Sequence, residues 1–203
     1  NLPDVRGREA ILLVHARNKK LDPKIKLNEF AKRIPGFTGA DIENLLNEAA
    51  LLAARDNRTL ISATDMDEAI DRVMMGPAKK SRKYSVEEKK VVAYHEAGHA
   101  VIGIKLEDAN VVQKVTIIPR GVAGGYNLMI PAEEKFLQTK KSLTAHIISF
   151  LGGRVAEEIV FDTVTTGAYN DFQNATKIAR SMVTEYGMSD LGPIQYESSG
   201  GNV

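Results

Sequence analysis

The chain has 203 residues, no cysteine and a formal net charge of +1. That length allows one large domain or two small ones. The balanced charge excludes an electrostatic nucleic-acid binder, and the missing thiols exclude disulfides and thiolate metal sites, so any metal must be held by His, Asp or Glu.

The chain begins at Asn1 rather than Met and stops at Gly-Asn-Val without a capping element, so it reads as part of a longer protein. No apolar run approaches the roughly 20 residues that a membrane-spanning helix needs. Residues 1–76 predict a small helical domain. Ile11, Leu12, Val14 and His15 begin an apolar stripe after Pro3-Asp4. A short segment over 27–34 ends at Pro35. Thr38-Gly39-Ala40-Asp41 resembles a capping box with Asp in place of Glu. It opens a helix with Ile42, Leu45, Leu46, Ala49, Leu52 and Ala53 on one face. Thr64-Asp65-Met66-Asp67 opens another, with Met66, Ala69, Ile70 and Val73 inward. Four helices with short polar connections make a bundle. Gly76-Pro77 ends this pattern, and the basic run Lys79, Lys80, Arg82, Lys83 reads as a solvated linker.

Ser85-Val86-Glu87-Glu88 is a fuller capping box. The helix it starts runs to about Leu106 and is apolar on most sides, so it should be central to its domain. Residues 111–118 are rich in β-branched types and predict a strand ended by Pro119. Residues 121–125 form a flexible turn, and 126–130 a second strand. Residues 142–150 and 155–161 predict two helices around a Gly152-Gly153 break. A polar loop, Thr165 to Asp171, leads into a helix over about 171–186 with Phe172, Ala175, Ile178, Ala179, Met182 and Val183 inward. The tail at 198–201 should be mobile.

The chemistry is concentrated at His95-Glu96-Ala97-Gly98-His99. Histidines four apart share one helix face, about 5–6 Å apart at Cβ, close enough for both rings to reach one Zn2+. Glu96 projects beside that metal, where it can act as the base that takes a proton from attacking water. A buried His-Glu-His set in an apolar helix needs such a reason, because unpartnered polar groups are costly to bury. A catalytic zinc usually has three protein ligands. His15 and His146 are distant, which leaves a carboxylate as the better third ligand. Glu157 and Glu158 follow the Gly-Gly break; Asp171 sits at a helix mouth after a loop of small residues. Their plainer roles are an ion pair with Arg154 or solvent exposure for the glutamates and a helix-start acid for Asp171. Spacing leaves all three open, with Asp171 slightly favoured.

Taken together, His95-Glu96-Ala97-Gly98-His99-Ala100, Lys114-Val115-Thr116-Ile117-Ile118-Pro119-Arg120-Gly121, Leu151-Gly152-Gly153-Arg154 and Thr166-Gly167-Ala168 with Asn170-Asp171 closely resemble the FtsH family of ATP-dependent zinc metalloproteases. Leu2-Pro3-Asp4-Val5-Arg6-Gly7-Arg8, Pro35-Gly36-Phe37-Thr38-Gly39-Ala40-Asp41 and Asn47-Glu48-Ala49-Ala50 are similar to the lid subdomain of that family's AAA module. The resemblance covers essentially the whole chain. It implies a mainly α fold with a small β-sheet: a helical-bundle AAA lid over 1–77, then an α+β zinc-peptidase domain over 78–203. It implies Asp171 as third ligand with His95 and His99, and Glu96 as catalytic base. Tyr169 departs from the small residue most common there; no required catalytic residue is missing.

The resemblance further implies ATP with Mg2+ in the full-length protein, with His15, Gly39 and Ala40 approaching the adenine end. Packing within the bundle is an equal alternative for those three. It implies a nucleotide-binding core and membrane-anchoring helices ahead of Asn1, peptidase helices beyond Val203, a homo-hexamer, unfolded or membrane protein substrates, no nucleic acid, and a place on the cytoplasmic side of the cell membrane. Without a phosphate loop this portion should not hydrolyse ATP. Two other readings are a proteolytically inactive ring-assembly module and a stand-alone zinc peptidase. The intact His95, Glu96, His99 and Asp171 argue against the first, and the lid motifs against the second.

Overall fold

In a computed structural model, residues 2–79, 84–121, 123–135 and 137–197 are described. The chain divides into two units, Asn1–Ser81 with Pro119–Ala123 and Arg82–Ile118 with Gly124–Val203. Lys80, Arg82 and Lys83 of the basic run, and the tail from Ser198, lie outside the described residues.

The first unit holds four helices, α1 (Val5–Ala16), α2 (Leu27–Arg33), α3 (Gly39–Arg55) and α4 (Ala63–Met75). Thr38 caps α3 in a reciprocal box with Asp41, which satisfies helix-end N–H groups that would otherwise lack partners. One apolar stripe of α3, Ile42, Leu45, Leu46, Ala49 and Ala53, joins Leu12, Phe30, Ala31, Ile34, Phe37, Ile61, Met66, Ala69 and Ile70 in a single core. Val14, placed on the α1 stripe by periodicity, is 51% exposed. The cap of α4 is Ser62 rather than Thr64: its hydroxyl accepts from the Asp65 N–H, and Asp65 answers the Ser62 N–H. Thr64 therefore sits inside the first turn. Arg120 is 3% exposed and pairs with Glu68 at 2.6 Å and Asp71 at 3.3 Å, all within this unit.

In the second unit, α5 (Val86–Lys105) precedes an antiparallel hairpin of β1 (Val111–Thr116) and β2 (Tyr126–Ile130). Then come α6 (Lys140–Phe161), a short 3-10 turn (Thr166–Ala168) and α7 (Tyr169–Thr184). Val101 and Ile104 are exposed, so α5 is covered by α6 and the hairpin rather than on all sides. The predicted break in α6 does not occur; one helix of 22 residues runs through Gly152-Gly153. The glycines serve contact instead. A Cβ at Gly98 would strike the Gly152 carbonyl, and one at Gly152 would lie 2.9 Å from the Gly98 carbonyl. The two helix backbones touch there, which only hydrogen at Cα permits. No helix among the described residues is long and apolar enough to cross a membrane.

Candidate metal centre

Three elements bring three ligand atoms together. His95 and His99 project from one face of α5, and Asp171 from the first turn of α7. The Nε2 atoms are 3.1 Å apart, and Asp171 Oδ2 lies 3.2 Å from that of His95 and 3.5 Å from that of His99. Ligands about 2.0–2.1 Å from a tetrahedral zinc lie roughly 3.3 Å from one another, so this triangle has the size of one face of such a site.

The far sides of the rings fix the tautomers. His99 Nδ1 donates to the Ser149 carbonyl at 2.7 Å, and His95 Nδ1 donates to Glu157 Oε1 at 2.7 Å. A neutral ring protonated at Nδ1 carries its lone pair on Nε2. Two lone pairs and a carboxylate oxygen thus converge on one point, an arrangement that repels itself unless a cation or proton sits among them. Titration points the same way. Burial opposes charge on His95, but the hydrogen bonds with Asp171 and Glu157 outweigh it and hold its pKa above the ordinary value. His99 behaves likewise, with burial outweighed by Asp171 and the Ser149 carbonyl. Asp171, although burial pushes it up, is held below the usual carboxylate range by the two imidazoles. A backbone gap completes the site. A Cβ at Gly153 would lie 2.5 Å from His95 Nε2 and 2.6 Å from His99 Nε2. The donor set, with space beside it at Gly153, fits a zinc ion.

Glu96 is 6% exposed, and burial pushes its carboxyl up. Asn127 on β2 donates to its Oε2 at 2.6 Å and to its main-chain oxygen at 3.0 Å. Glu157, 1% exposed, meets the far nitrogen of His95 and accepts from the Thr165 N–H at 2.7 Å. Glu158 pairs with Arg154 at 2.8 Å on the surface. His146 lies 3.3 Å from Asn110 Oδ1. His15 is half-buried in the last turn of α1, and Gly39 and Ala40 open α3, all in the first unit.

Sequence reasoning missed the Ser149 carbonyl, the gap at Gly153 and Asn127. The last had a signal: an amide in the otherwise apolar strand Tyr126–Ile130, where Asn is uncommon.

Residues 82–203 match the sequence model of peptidase family M41, and residues 24–68 match that of the AAA+ lid domain. The chain is 74% identical over 202 residues to the ATP-dependent zinc metalloprotease FtsH of Acholeplasma laidlawii (strain PG-8A), covering 100% of this chain and 32% of the relative. Identity to the protein of that name from Bacillus subtilis (strain 168) is 62% over 203 residues, 99% of this chain and 32% of the relative. The chain thus spans about a third of the length of these curated relatives. The M41 match runs from the capping box of α5 through the hairpin, α6 and α7, and takes in every residue of the triangle and its supports; the chain belongs to peptidase family M41.

Proposed function

We propose that this chain is the lid and peptidase portion of an ATP-dependent zinc metalloprotease that degrades unfolded or membrane proteins. The observation that carries the reading is the convergence of His95 Nε2, His99 Nε2 and Asp171 Oδ2 beside the buried Glu96. Zinc, when bound, supplies a Lewis acid that polarises the scissile carbonyl and acidifies the attacking water. His95, His99 and Asp171 would hold it. Glu96 takes a proton from the water as its oxygen joins the carbonyl carbon, and returns it to the amine as the C–N bond breaks. A substrate main chain pairs with the open edge of β1, which binds unfolded chains with little side-chain preference.

In the longer protein, ATP with Mg2+ drives unfolding, and His15, Gly39 and Ala40 face its adenine end. Six copies form a ring, anchored on the cytoplasmic side of the cell membrane by helices outside this chain. The names of the relatives support the ATP and zinc assignments.

Two variants test the reading. Glu96→Gln should keep zinc and lose cleavage of an unfolded peptide by roughly a hundredfold or more. Asp171→Ala should lose zinc, measured per chain by atomic emission. Normal cleavage by the first, or full zinc in the second, would refute the corresponding role.

A further inference from the structure

Glu96 is held from the hairpin as well as by its own helix. Gly125, just before β2, and Asn127 within it both lie against Glu96. At Gly125 a Cβ would lie 2.6 Å from the Thr116 carbonyl, 2.8 Å from Glu96 Oε1 and 2.9 Å from its Cγ, so the glycine leaves room both for the neighbouring strand and for the carboxylate. Asn127 spends both amide hydrogens on Glu96, one at Oε2 and one at the main-chain oxygen. Both targets accept, so the amide cannot be reversed. Its own Oδ1 is then buried with no hydrogen-bond partner among the described residues. Leaving a buried acceptor unpaired is unfavourable, and an apolar residue of similar shape would avoid it. The unpaired Oδ1 is offset only at Glu96, whose buried carboxylate takes its hydrogen bond from Asn127 among the described residues, so the amide is there for that carboxylate. Oε2 is clamped by Asn127, while Oε1 has no hydrogen bond among the described residues and lies against Gly125.

We infer that the start of β2 is a seat for the base: Asn127 is a positioning residue that fixes the Glu96 carboxylate, and Gly125 admits it. This rests on Glu96 acting as the base. The seat acts on the orientation of one oxygen, so it bears on turnover and not on peptide affinity or metal retention.

The test uses zinc-loaded protein and a short unfolded fluorogenic peptide, with kcat, KM, zinc per chain and the thermal midpoint measured for each variant. Asn127→Leu keeps the shape and removes both donors; kcat should fall roughly tenfold to a hundredfold, with KM within about twofold, zinc unchanged and the protein still folded, since relief of the unpaired Oδ1 opposes the loss of the Glu96 hydrogen bond. Asn127→Asp puts a carboxylate against Oε2 and should fall further. Wild-type kcat in either variant, alongside an inactive Glu96→Gln, would overturn the seat while leaving the base in place. Loss of zinc or of folded protein in both variants would make Asn127 a structural residue and overturn it too. Wild-type kcat in Glu96→Gln would remove the base itself and the seat with it.

Discussion

His95 is gripped at both ends of its ring. On one side Nε2 faces Asp171 and His99; on the other Nδ1 donates to Glu157, which is locked by the Thr165 N–H and hydroxyl. A carboxylate behind a metal-facing histidine orients the ring and makes it more basic. Glu157→Gln would turn an amide hydrogen toward the Thr165 N–H or the His95 Nδ1–H. Zinc affinity should fall about 10- to 100-fold although no proposed ligand is lost, as read by competition with a chromophoric chelator. Unchanged affinity would show that the ring needs no such support. The histidines and Glu96 were legible because their relation lies within one helix turn. Whether Glu157 or Asp171 faces Nε2 was not, because it depends on how α6 and α7 are set against α5, and no local spacing encodes that.

At the scale of elements, α6 shows why glycine is ambiguous. Each glycine in a helix interior weakens it by about 1 kcal/mol relative to alanine, so Gly152-Gly153 reads as an interruption. The helix continues because the same residues allow α5 and the two imidazoles to approach. Gly153→Ala should therefore separate helix stability from the site. Circular dichroism should show helix content kept or increased, while zinc affinity falls at least about tenfold as the new methyl enters the space between the Nε2 atoms. Zinc binding at wild-type strength would mean that the rings move aside. The helices with reciprocal caps at Thr38 and Ser85 were readable, since a capping box is made by residues three apart. At α4, Ser62 and Thr64 both suit a cap and each has an aspartate three residues on, Asp65 and Asp67, so spacing left the start open and the helix takes Ser62.

Across the whole molecule, the two units depend on different solution conditions. The first has an apolar core of its own and a buried carboxylate, Asp65, gripped by both nitrogens of the Arg58 fork at 2.6 and 2.7 Å and by the Ser62 cap. Arg58 holds Asp65 well below the usual carboxylate range, against the upward push of burial and with help from Ser62. A depressed folded pKa means that stability is fully present above the ordinary carboxylate pKa, near pH 4, and is lost as pH falls through the folded value. Asp65→Asn should cost the first unit about 1–3 kcal/mol at neutral pH. The gap should close on acidification below about pH 4, as urea midpoints measured across pH would show. A gap independent of pH would assign the effect to packing. The division into a helical bundle and a peptidase portion was visible from composition and motifs. Arg120 was not readable as part of the bundle, since a turn in a hairpin gives no sign that its side chain will be buried against Glu68 and Asp71.

The backbone contact of Gly98 with Gly152 has an evolutionary consequence. Atoms in direct contact resist compression far more than side chains resist repacking. The distance between the helix bearing the histidines and the helix bearing Glu157 is thus set at a point where no side chain intervenes. Neighbouring apolar positions can exchange one residue for another over generations without altering that distance. A side chain at either glycine would push the two helices apart, and with them the histidines and Glu157.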